Sequence, residues 1–439
     1  MTPEGPLITN PPGERPDPLE LLLRQEEGRL QRLLPVRHSR MAQSPLSFFR
    51  GAAAIMAADL ARQPRSDQIV QLCGDAHLLN FGFAASPERH LLFDLNDFDE
   101  THPGPYEWDV LRLAASLVLA ARHLGLSAGK QEKVCRRGLR AYARAMAEFA
   151  SLPMLPMWGL RLDLDQLIQR SISTNLRRHL DDVVEVARRR DSRRAVRRLC
   201  ESDGRGGLRF RHAPPLIWRF EELEGQWQGR ISWQAWVDEA HQRYLRSIRP
   251  EVRRLLANFR LCDVAIKAAG VGSVGMRCAI GVFVGDHPDD VLVLQSKQAE
   301  PSVLAPWLET AAPRHQGERV VRGQRLLQTV SDPFLGWTTC PAGHHHHWRH
   351  FRDWKAAVTL ECLDADGLSD YGRLCGWTLA KGHARSGDRR AIAAHVGASR
   401  HFAAAMLAPA VVHADQAESD HRRLLEGIAT GVISSSASC

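Results

Sequence analysis

The chain has 439 residues, of which 44% are hydrophobic and 25% are charged, and its 58 Lys and Arg residues outnumber its 50 Asp and Glu residues to give a formal charge of +8. This composition is typical of a globular protein and excludes a disordered, collagen-like or coiled-coil chain. No run approaches the ~18 apolar residues of a membrane span, so we expect no membrane association. Nine scattered cysteines without a Cys-x-x-Cys pair predict a reduced, cytoplasmic protein that has no disulfides and no structural zinc site.

The excess positive charge lies in one segment. Residues 170–219 contain 14 Arg and six acidic residues, so this window accounts for the whole excess of +8. Its apolar residues recur at helical spacing, which predicts a helix with a solvated basic face. A basic rim that attracts an anionic substrate is the second interpretation. Because the arginines are not interleaved with aromatic residues and match no nucleic-acid-binding motif, we do not expect nucleic acid as a partner.

In chain order, the proline-rich residues 1–18 predict a disordered leader. Helical spacing follows over 19–34 and 48–62. Two short apolar runs, at 69–73 and 90–94, each end in a polar loop and predict strands. Long helical patterns then continue to about residue 259.

The pattern changes at residue 261. The runs 264–266, 276–284 and 291–297 are apolar or alternating and are separated by turn sequences, which predicts three antiparallel strands. The histidine-rich run 343–350 is predicted to be an exposed loop with adventitious affinity for transition metals. Helical spacing returns from 368 to 428.

Two neighbouring loops carry the residue types of a magnesium site. The sequence G-D-A-H-L-L-N spans 74–80, and F-D-L-N-D-F-D-E follows at 93–100. Carboxylate and amide oxygens suit Mg²⁺, which favours phosphates as further partners. The interval from Asp75 to Asn80 equals that in the catalytic loop of protein kinases. A turn that merely caps backbone groups is the alternative.

A second segment, G-V-G-S-V-G at 270–275, has the G-x-G-x-x-G pattern. The residues after it alternate as a strand and do not open a helix, which favours a hairpin over phosphates and not a dinucleotide-binding turn. Four residues of this loop are predicted to bind the nucleotide, namely Gly270, Gly272, Ser273 and Gly275.

Lys297 ends the third predicted strand, where its charge would balance nucleotide phosphates. A surface hairpin with an exposed lysine is the alternative. We prefer Lys297 to Lys267, because Lys267 precedes the glycine loop and a phosphate-pairing lysine belongs on the strand after it.

These motifs resemble those of a known family. The 74–80 loop is similar to the G-D-x-H-x-x-N loop of aminoglycoside and choline phosphotransferases, with Cys73 in place of their usual histidine, and Phe93-Asp94 resembles their metal-binding segment. The sequence L-A-K-G-H-A at 379–384 resembles the helix that precedes this loop, so the motif order is circularly permuted. From about residue 37 to 428, the chain closely resembles the bacterial family catalogued as domain of unknown function 2252. Long matching segments carry this resemblance, including CGDAHLLNFG, FDLNDFDETHPGPYEWDVLRLAASL and GQRLLQTVSDPFLGW.

The resemblance implies an α+β, two-lobed, kinase-like fold with a small antiparallel-sheet lobe and a larger, mainly helical lobe. The leader would span 1–18, and the helical lobe with its catalytic and metal-binding loops 19–260. The β-rich nucleotide lobe would span 261–336. Helices completing the large lobe, with a short disordered tail, would occupy 337–439.

The resemblance further implies ATP and Mg²⁺ as cofactors of a phosphotransferase. Asp75 would orient or deprotonate an acceptor hydroxyl, and His77 would brace the loop. Asn80 and Asp94 would hold Mg²⁺, with Asp97 as the alternative ligand. The group transferred would be the phosphoryl group or another part of the nucleotide, and the sequence does not identify the acceptor.

Two other functions stay open. The first is a non-catalytic, nucleotide-binding regulator. The second is a metal-dependent hydrolase that uses Asp75, His77, Asp94 and Asp97. Three further residues are candidates for a supporting role. Asp109 is predicted to anchor the loop, Arg50 either pairs with a loop carboxylate or lies on the surface, and Lys355 lines the cleft or forms part of a solvated face.

Overall fold

The computed structural model describes residues 15–164, 167, 172–204, 207–214, 216–220, 232–267, 274–351 and 354–435. Their helices are α1 (Pro18–Glu26), α2 (Leu34–Ala42), α3 (Pro45–Gly51), α4 (Ala53–Leu60), α5 (Tyr106–His123), α6 (Ala128–Ser151), α7 (Met154–Trp158), α8 (Thr174–Arg188), α9 (Ser192–Leu199), α10 (Trp233–Ser247), α11 (Pro250–Leu256), α12 (Gln316–Leu327), α13 (Ala365–Ser386), α14 (Arg389–Val396) and α15 (Ser399–Ala429). Their strands are β1 (Ile69–Leu72), β2 (Phe81–Ala85), β3 (Leu91–Leu95), β4 (His102–Pro105), β5 (Leu162–Asp163), β6 (Cys200–Ser202), β7 (Leu208–Phe210), β8 (Ile217–Arg219), β9 (Arg260–Lys267), β10 (Cys278–Val284), β11 (Val291–Gln298), β12 (Gly336–Thr339) and β13 (His345–His350). The predicted α+β class is confirmed.

The largest sheet has six antiparallel strands in the order β12-β13-β11-β10-β9-β8. The three strands predicted after residue 261 are its strands β9, β10 and β11. In the β10–β11 ladder, Cys278 lies opposite Lys297. Lys297 therefore stands near the end of the third strand, as the alternation predicted.

The histidine-rich segment was wrongly predicted to be an exposed loop. Residues 345–350 form β13, which hydrogen-bonds to β11 on one side and β12 on the other. His346 and His347 are buried within this sheet. Burial lowers the pKa of His346 to about 3, so this imidazole is neutral at pH 7 and is compatible with a sheet interior.

Helices α5, α6 and α13 form the centre of the helical part. Nearly every residue of α5 is buried, because neighbouring elements surround it. Gly138 of α6 and Gly376 of α13 allow the two backbones to approach closely, since a Cβ on Gly376 would overlap the carbonyl oxygen of Gly138. The predicted helical spacing after residue 368 corresponds to α13, α14 and α15.

The two ends of the described chain are held together. Arg15 forms ion pairs of 2.7 Å with both Asp59 and Asp420, and the carboxylate of Asp17 caps α1 by accepting from the amide of Leu19 (2.9 Å). Residues 15–17 are therefore fixed and do not belong to the leader predicted over 1–18. Residues 1–14 and 436–439 lie outside the described part.

Short strands and one backbone bridge bring together the loops predicted to carry function. β2 pairs with β3, and β1 pairs with β4, both antiparallel. Phe83 of β2 exchanges backbone hydrogen bonds of 2.7 and 3.1 Å with Ala356, which fixes the segment after β13 beside the loop after β3. Within the described residues, no helix combines the length and apolarity needed to cross a membrane.

Candidate functional site

The carboxylate of Asp109, in the first turn of α5, anchors the loop that follows β1. It accepts hydrogen bonds from the backbone amides of Cys73 (2.6 Å) and Gly74 (3.0 Å). Its Oδ2 also lies 3.3 Å from Nε2 of His383 in α13. The prediction that Asp109 anchors the loop is confirmed.

Gly74 is required by its position in this loop. Its φ of +87° lies in the left-handed region, and a Cβ there would overlap the carbonyl oxygen of Glu100. The absence of a side chain lets the loop after β1 lie directly against the loop after β3. Asp75 is thereby brought close to the second acidic segment.

Asp75 is held by Arg112 and remains partly accessible. Arg112 Nε donates to Asp75 Oδ1 (2.9 Å), and its Nη2 donates to the carbonyl of Phe49 (2.6 Å). The side-chain amide of Asn80 donates to the carbonyl of Asp75 (2.7 Å). With 18% of its side chain exposed, Asp75 presents an oriented carboxylate to the adjoining cavity.

His77 lies beside Asp75 as a neutral imidazole. Its Nδ1 accepts from the amide of Leu79 (3.2 Å), and its Nε2 is 3.7 Å from Asp75 Oδ2. Burial lowers the pKa of His77 to about 4. This geometry suits a side chain that braces the loop.

Asp94, the first predicted magnesium ligand, is engaged elsewhere. Its carboxylate pairs with the ammonium group of Lys381 in α13 and accepts from the amide of Leu95 (2.9 Å). Only 14% of the Asp94 side chain and 1% of the Lys381 side chain are exposed. Asp94 lines neither of the two cavities described below, whereas Asn80 and Asp97 both line the second of them. The sequence signal for Lys381 was a lysine inside the otherwise apolar segment L-A-K-G-H-A.

Lys297 contacts Asp99, a carboxylate that we had not predicted for the site. The two residues are 198 positions apart in the chain. Burial opposes ionisation of Asp97, but the charges of Lys297, Arg349 and Lys355 outweigh it and hold the Asp97 pKa below its ordinary value. Burial and the adjacent charge of Asp97 raise the pKa of Asp99. The signal for Asp99 was the spacing D-x-D at 97–99.

An acidic cavity adjoins Asp75 and is lined by Gln25, Arg50, Gly51, Ala53, Asp75, Asp97, Asp99, Glu100 and Met276. Burial raises the pKa of Glu100 to about 7, although its Oε2 accepts from the amide of Val303 (2.8 Å). Arg50 Nε is buried and has no hydrogen-bond partner among the described residues. Arg50 thus lies in the cavity with the loop carboxylates and forms no ion pair with them within the described part of the chain.

A second cavity, which we call the basic cleft, has a volume of about 510 Å³ and lies on the other side of Asp97. Its lining residues are Leu79, Asn80, Asn96, Asp97, Val186, Arg189, Arg190, Asp191, Arg194, Ala195, Arg198, Lys355, Ala356 and Ala357. The structure therefore brings Asn80 and Asp97 together with arginines of α9 and of the segment between α8 and α9. The sequence had left Lys355 undecided, and it lines this cleft.

The glycine loop is described only at its end. Gly270, Gly272 and Ser273 lie outside the described residues. Gly275 has a φ of +91°, and its carbonyl accepts from the amide of Leu30 (2.7 Å). The N-terminal segment therefore packs on the end of this loop.

The oxygen donors present fit a magnesium ion that is shared with phosphates. Among the described residues, no three His, Cys, Asp or Glu side chains form a group that could hold a metal ion alone. Mg²⁺ commonly takes only one or two carboxylates and completes its shell with water and substrate phosphates. Asp97 makes no ion pair within 4.0 Å with any described residue, and it borders the same cleft as Asn80. These two side chains are the donors available to such an ion.

The molecule is thus a mixed α+β protein whose buried acidic loop separates two cavities. Over residues 29–427 the chain matches the family described as "Uncharacterized protein conserved in bacteria (DUF2252)", and it belongs to that family. Comparisons with curated proteins and with solved structures gave no match.

Proposed function

We propose that this protein is an ATP- and Mg²⁺-dependent phosphotransferase with a two-lobed, kinase-like arrangement and a circularly permuted motif order. The observation that carries the proposal is the contact between Lys297 and Asp99. It joins the third strand of the glycine-hairpin sheet to the loop of Asp97, which shares a cavity with Asp75. This loop thus connects Lys297, which would balance phosphate charge, with Asp75, which would meet the acceptor, despite their distance in sequence.

Contacts of α13 support the permuted order. Lys381 pairs with Asp94, and His383 lies 3.3 Å from Asp109, the residue that anchors the loop after β1. The helix near the end of the chain therefore packs against the 73–80 loop, as a helix preceding that loop would.

Each residue has a separate role in the transfer. Asp75 orients the acceptor hydroxyl and takes its proton. The acceptor oxygen then forms a bond to the γ-phosphorus as the bond from that phosphorus to the β–γ bridging oxygen breaks. Lys297 balances phosphate charge, and His77 braces the loop. Asn80 and Asp97 would hold Mg²⁺, because Asp94 is paired with Lys381. When bound, the ion would neutralise charge on the transferred group.

Calorimetric titration of ATP, with and without Mg²⁺, tests the proposal. We expect wild-type protein to bind ATP in a Mg²⁺-dependent way and Lys297→Met to lose at least tenfold in affinity, because a charged hydrogen bond contributes about 1.5–3 kcal/mol. Lys133→Met is the matched control, since this lysine is 53% exposed and pairs with Asp366 on the surface. Its affinity should equal that of wild type.

Asp75→Asn tests catalysis separately from binding. It should retain ATP binding and lose about 10²–10⁴-fold in turnover, the usual contribution of a positioned general base. Absence of ATP binding in every condition would overturn the proposal. ATP binding without turnover would indicate a nucleotide-binding regulator, and full turnover in Lys297→Met would indicate a hydrolase.

A further inference from the structure

The basic cleft is built on one face of α9. Its lining residues Asp191, Arg194, Ala195 and Arg198 follow the i, i+3, i+4, i+7 spacing of a single helix face. The carboxylate of Asp191 caps the helix by accepting from the amide of Arg194 (2.8 Å). The capped start of α9 therefore fixes the orientation of the basic face.

The opposite side of α9 fixes this face against the large sheet. Val196 and Leu199 are buried in one cluster with Val293 of β11. Val293 and Lys297 lie on the same face of β11, because side chains alternate along a strand. Helix α9, with its arginines, thus packs on the face of the large sheet that also carries Lys297.

The cleft has more cationic groups than its own acids satisfy. Arg194 and Arg198 form no ion pair with any residue in the described part of the chain. Arg189 pairs with Glu185, and Arg190 donates to the carbonyl of Lys355 (3.0 Å). The guanidinium groups of Arg194 and Arg198 therefore have their hydrogen-bonding capacity available to a ligand.

Lys355 extends the basic surface to the floor of the cleft. Its ammonium group donates a long hydrogen bond of 3.5 Å to the carbonyl of Asn96. Burial and the nearby charge of Arg349 lower the pKa of Lys355 to about 7, although the charges of Asp97 and Asp99 oppose this shift. An anion bound in the cleft would favour the charged form of this amine.

Size and composition limit the class of ligand. The volume of about 510 Å³ lies in the range of small-molecule sites. Those lining residues that the structure describes include no aromatic side chain, whereas sites for single-stranded nucleic acid rely on aromatic stacking of the bases. Arginine recognises phosphate through paired, charge-assisted hydrogen bonds. The cleft therefore suits a phosphate-rich small molecule.

We propose that the basic cleft binds the phosphate groups of a small polyphosphorylated ligand through Arg194, Arg198 and Lys355. Because Asn80 and Asp97 border the same cleft, these phosphates lie next to the transfer site. That the ligand is a substrate rests on the proposed phosphotransferase function. The phosphates belong either to the nucleotide or to a phosphorylated acceptor.

Titration with inorganic tripolyphosphate tests the cleft directly. Arg194→Gln/Arg198→Gln removes two charges from the cleft face, and Arg193→Gln/Arg197→Gln removes two charges from the same helix away from it. All four arginines are exposed, so both double variants should fold, which thermal melting checks. We expect the cleft variant to bind at least tenfold more weakly than wild type and the control variant to stay within twofold.

Three outcomes overturn the proposal. They are no binding of tripolyphosphate to wild type, equal weakening in the two double variants, and tighter binding of an oligothymidylate than of tripolyphosphate. The last would identify nucleic acid as the ligand. A cleft-specific loss of tripolyphosphate binding supports the proposal even if wild-type protein binds no ATP, in which case only the phosphotransferase function fails.

Titration of the cleft variant with ATP and Mg²⁺ separates the two sources of phosphate. Weakened ATP binding assigns the cleft to the nucleotide. Unchanged ATP binding, with tripolyphosphate still binding to ATP-saturated wild type, assigns it to a phosphorylated acceptor. Both results support the cleft as a phosphate site.

Discussion

Two lysine–aspartate contacts, one in β3 and one on the loop that follows it, have different surroundings. Asp94 and Lys381 are buried, line neither cavity, and the carboxylate has a further hydrogen bond from Leu95. Asp99 and Lys297 lie next to Asp97, which lines both cavities. We call Asp94 and Lys381 the closed pair, because neither residue lines a cavity. Lys297 is as buried as Lys381, but its partner Asp99 lines the acidic cavity.

The difference shows how a structural charge can be told from one available to a ligand. The charges of Lys297, Arg349 and Lys355 act on Asp97 and Asp99, whereas Asp75 and Glu100 add negative charge in the acidic cavity. On the side of the basic cleft, an anionic ligand would offset the cationic charge. Beside Asp94, Lys381 forms the ion pair and Arg385 adds a second positive charge, but Asp94 lines neither cavity.

Breaking the closed pair should have the largest effect on stability. In Lys381→Met, the carboxylate of Asp94 loses its partner while still buried, and we expect the free energy of unfolding to fall by about 3–5 kcal/mol. Urea denaturation measures this. Asp94→Leu/Lys381→Met should recover most of the loss, because neither charge then remains buried alone. A single variant as stable as wild type would contradict the structural role of the pair.

Asp97→Asn should affect function more than stability. We expect turnover to fall about 10²–10³-fold and the Mg²⁺-dependent part of ATP affinity to be lost. Its free energy of unfolding should change less than that of Lys381→Met. Asp94→Asn is the matched substitution and should show the reverse pattern. If Asp94→Asn abolishes Mg²⁺-dependent binding in folded protein and Asp97→Asn does not, the two aspartates have been assigned to the wrong roles.

The smallest effect is expected for His77→Asn, in which the amide oxygen can still accept from the amide of Leu79. The pKa of His77 is about 4 in the folded protein and near 6.5 when unfolded. As the pH falls from 6.5 to 4, the unfolded chain binds a proton that the folded chain does not, so wild type loses stability. The variant lacks this loss.

Urea denaturation at pH 7 and pH 5 checks this sign. Wild type should be more stable than His77→Asn by about 1 kcal/mol at pH 7. The two pKa values predict that wild type loses about 2 kcal/mol by pH 5, so the variant should then be the more stable protein. A difference that widens at pH 5 would mean that His77 is protonated in the folded protein.

Local patterns were sufficient to predict part of this structure. The alternation of apolar and polar residues predicted β10 and β11 and placed Lys297 near the end of a strand, because a period of two residues indicates a half-buried strand. The prediction for the histidine run was wrong because its polar residues lack the hydrophobic pattern that indicates a strand, although this strand is buried on both sides. Its neighbours in the sheet, β11 and β12, are fixed by the whole fold and not by the run itself.

The candidate site shows the same limit. Asp94 and Asp97 both follow an apolar run, and no local signal distinguishes them. The distinction depends on Lys381, which lies 287 residues away. Likewise, the sequence located the arginine-rich window, but its position opposite Asn80 and Asp97 depends on how α9 packs against the large sheet.

Gly74, Asp75 and Asp109 depend on α13, through the contact of His383 with Asp109 and of Lys381 with Asp94. During synthesis the ribosome adds ~5–20 residues per second, so Asp75 emerges tens of seconds before Lys381. The loop that holds Asp75 has no native support from α13 in that interval. A nascent chain halted before residue 381 should consequently lack the native contacts that α13 makes with Asp94 and Asp109.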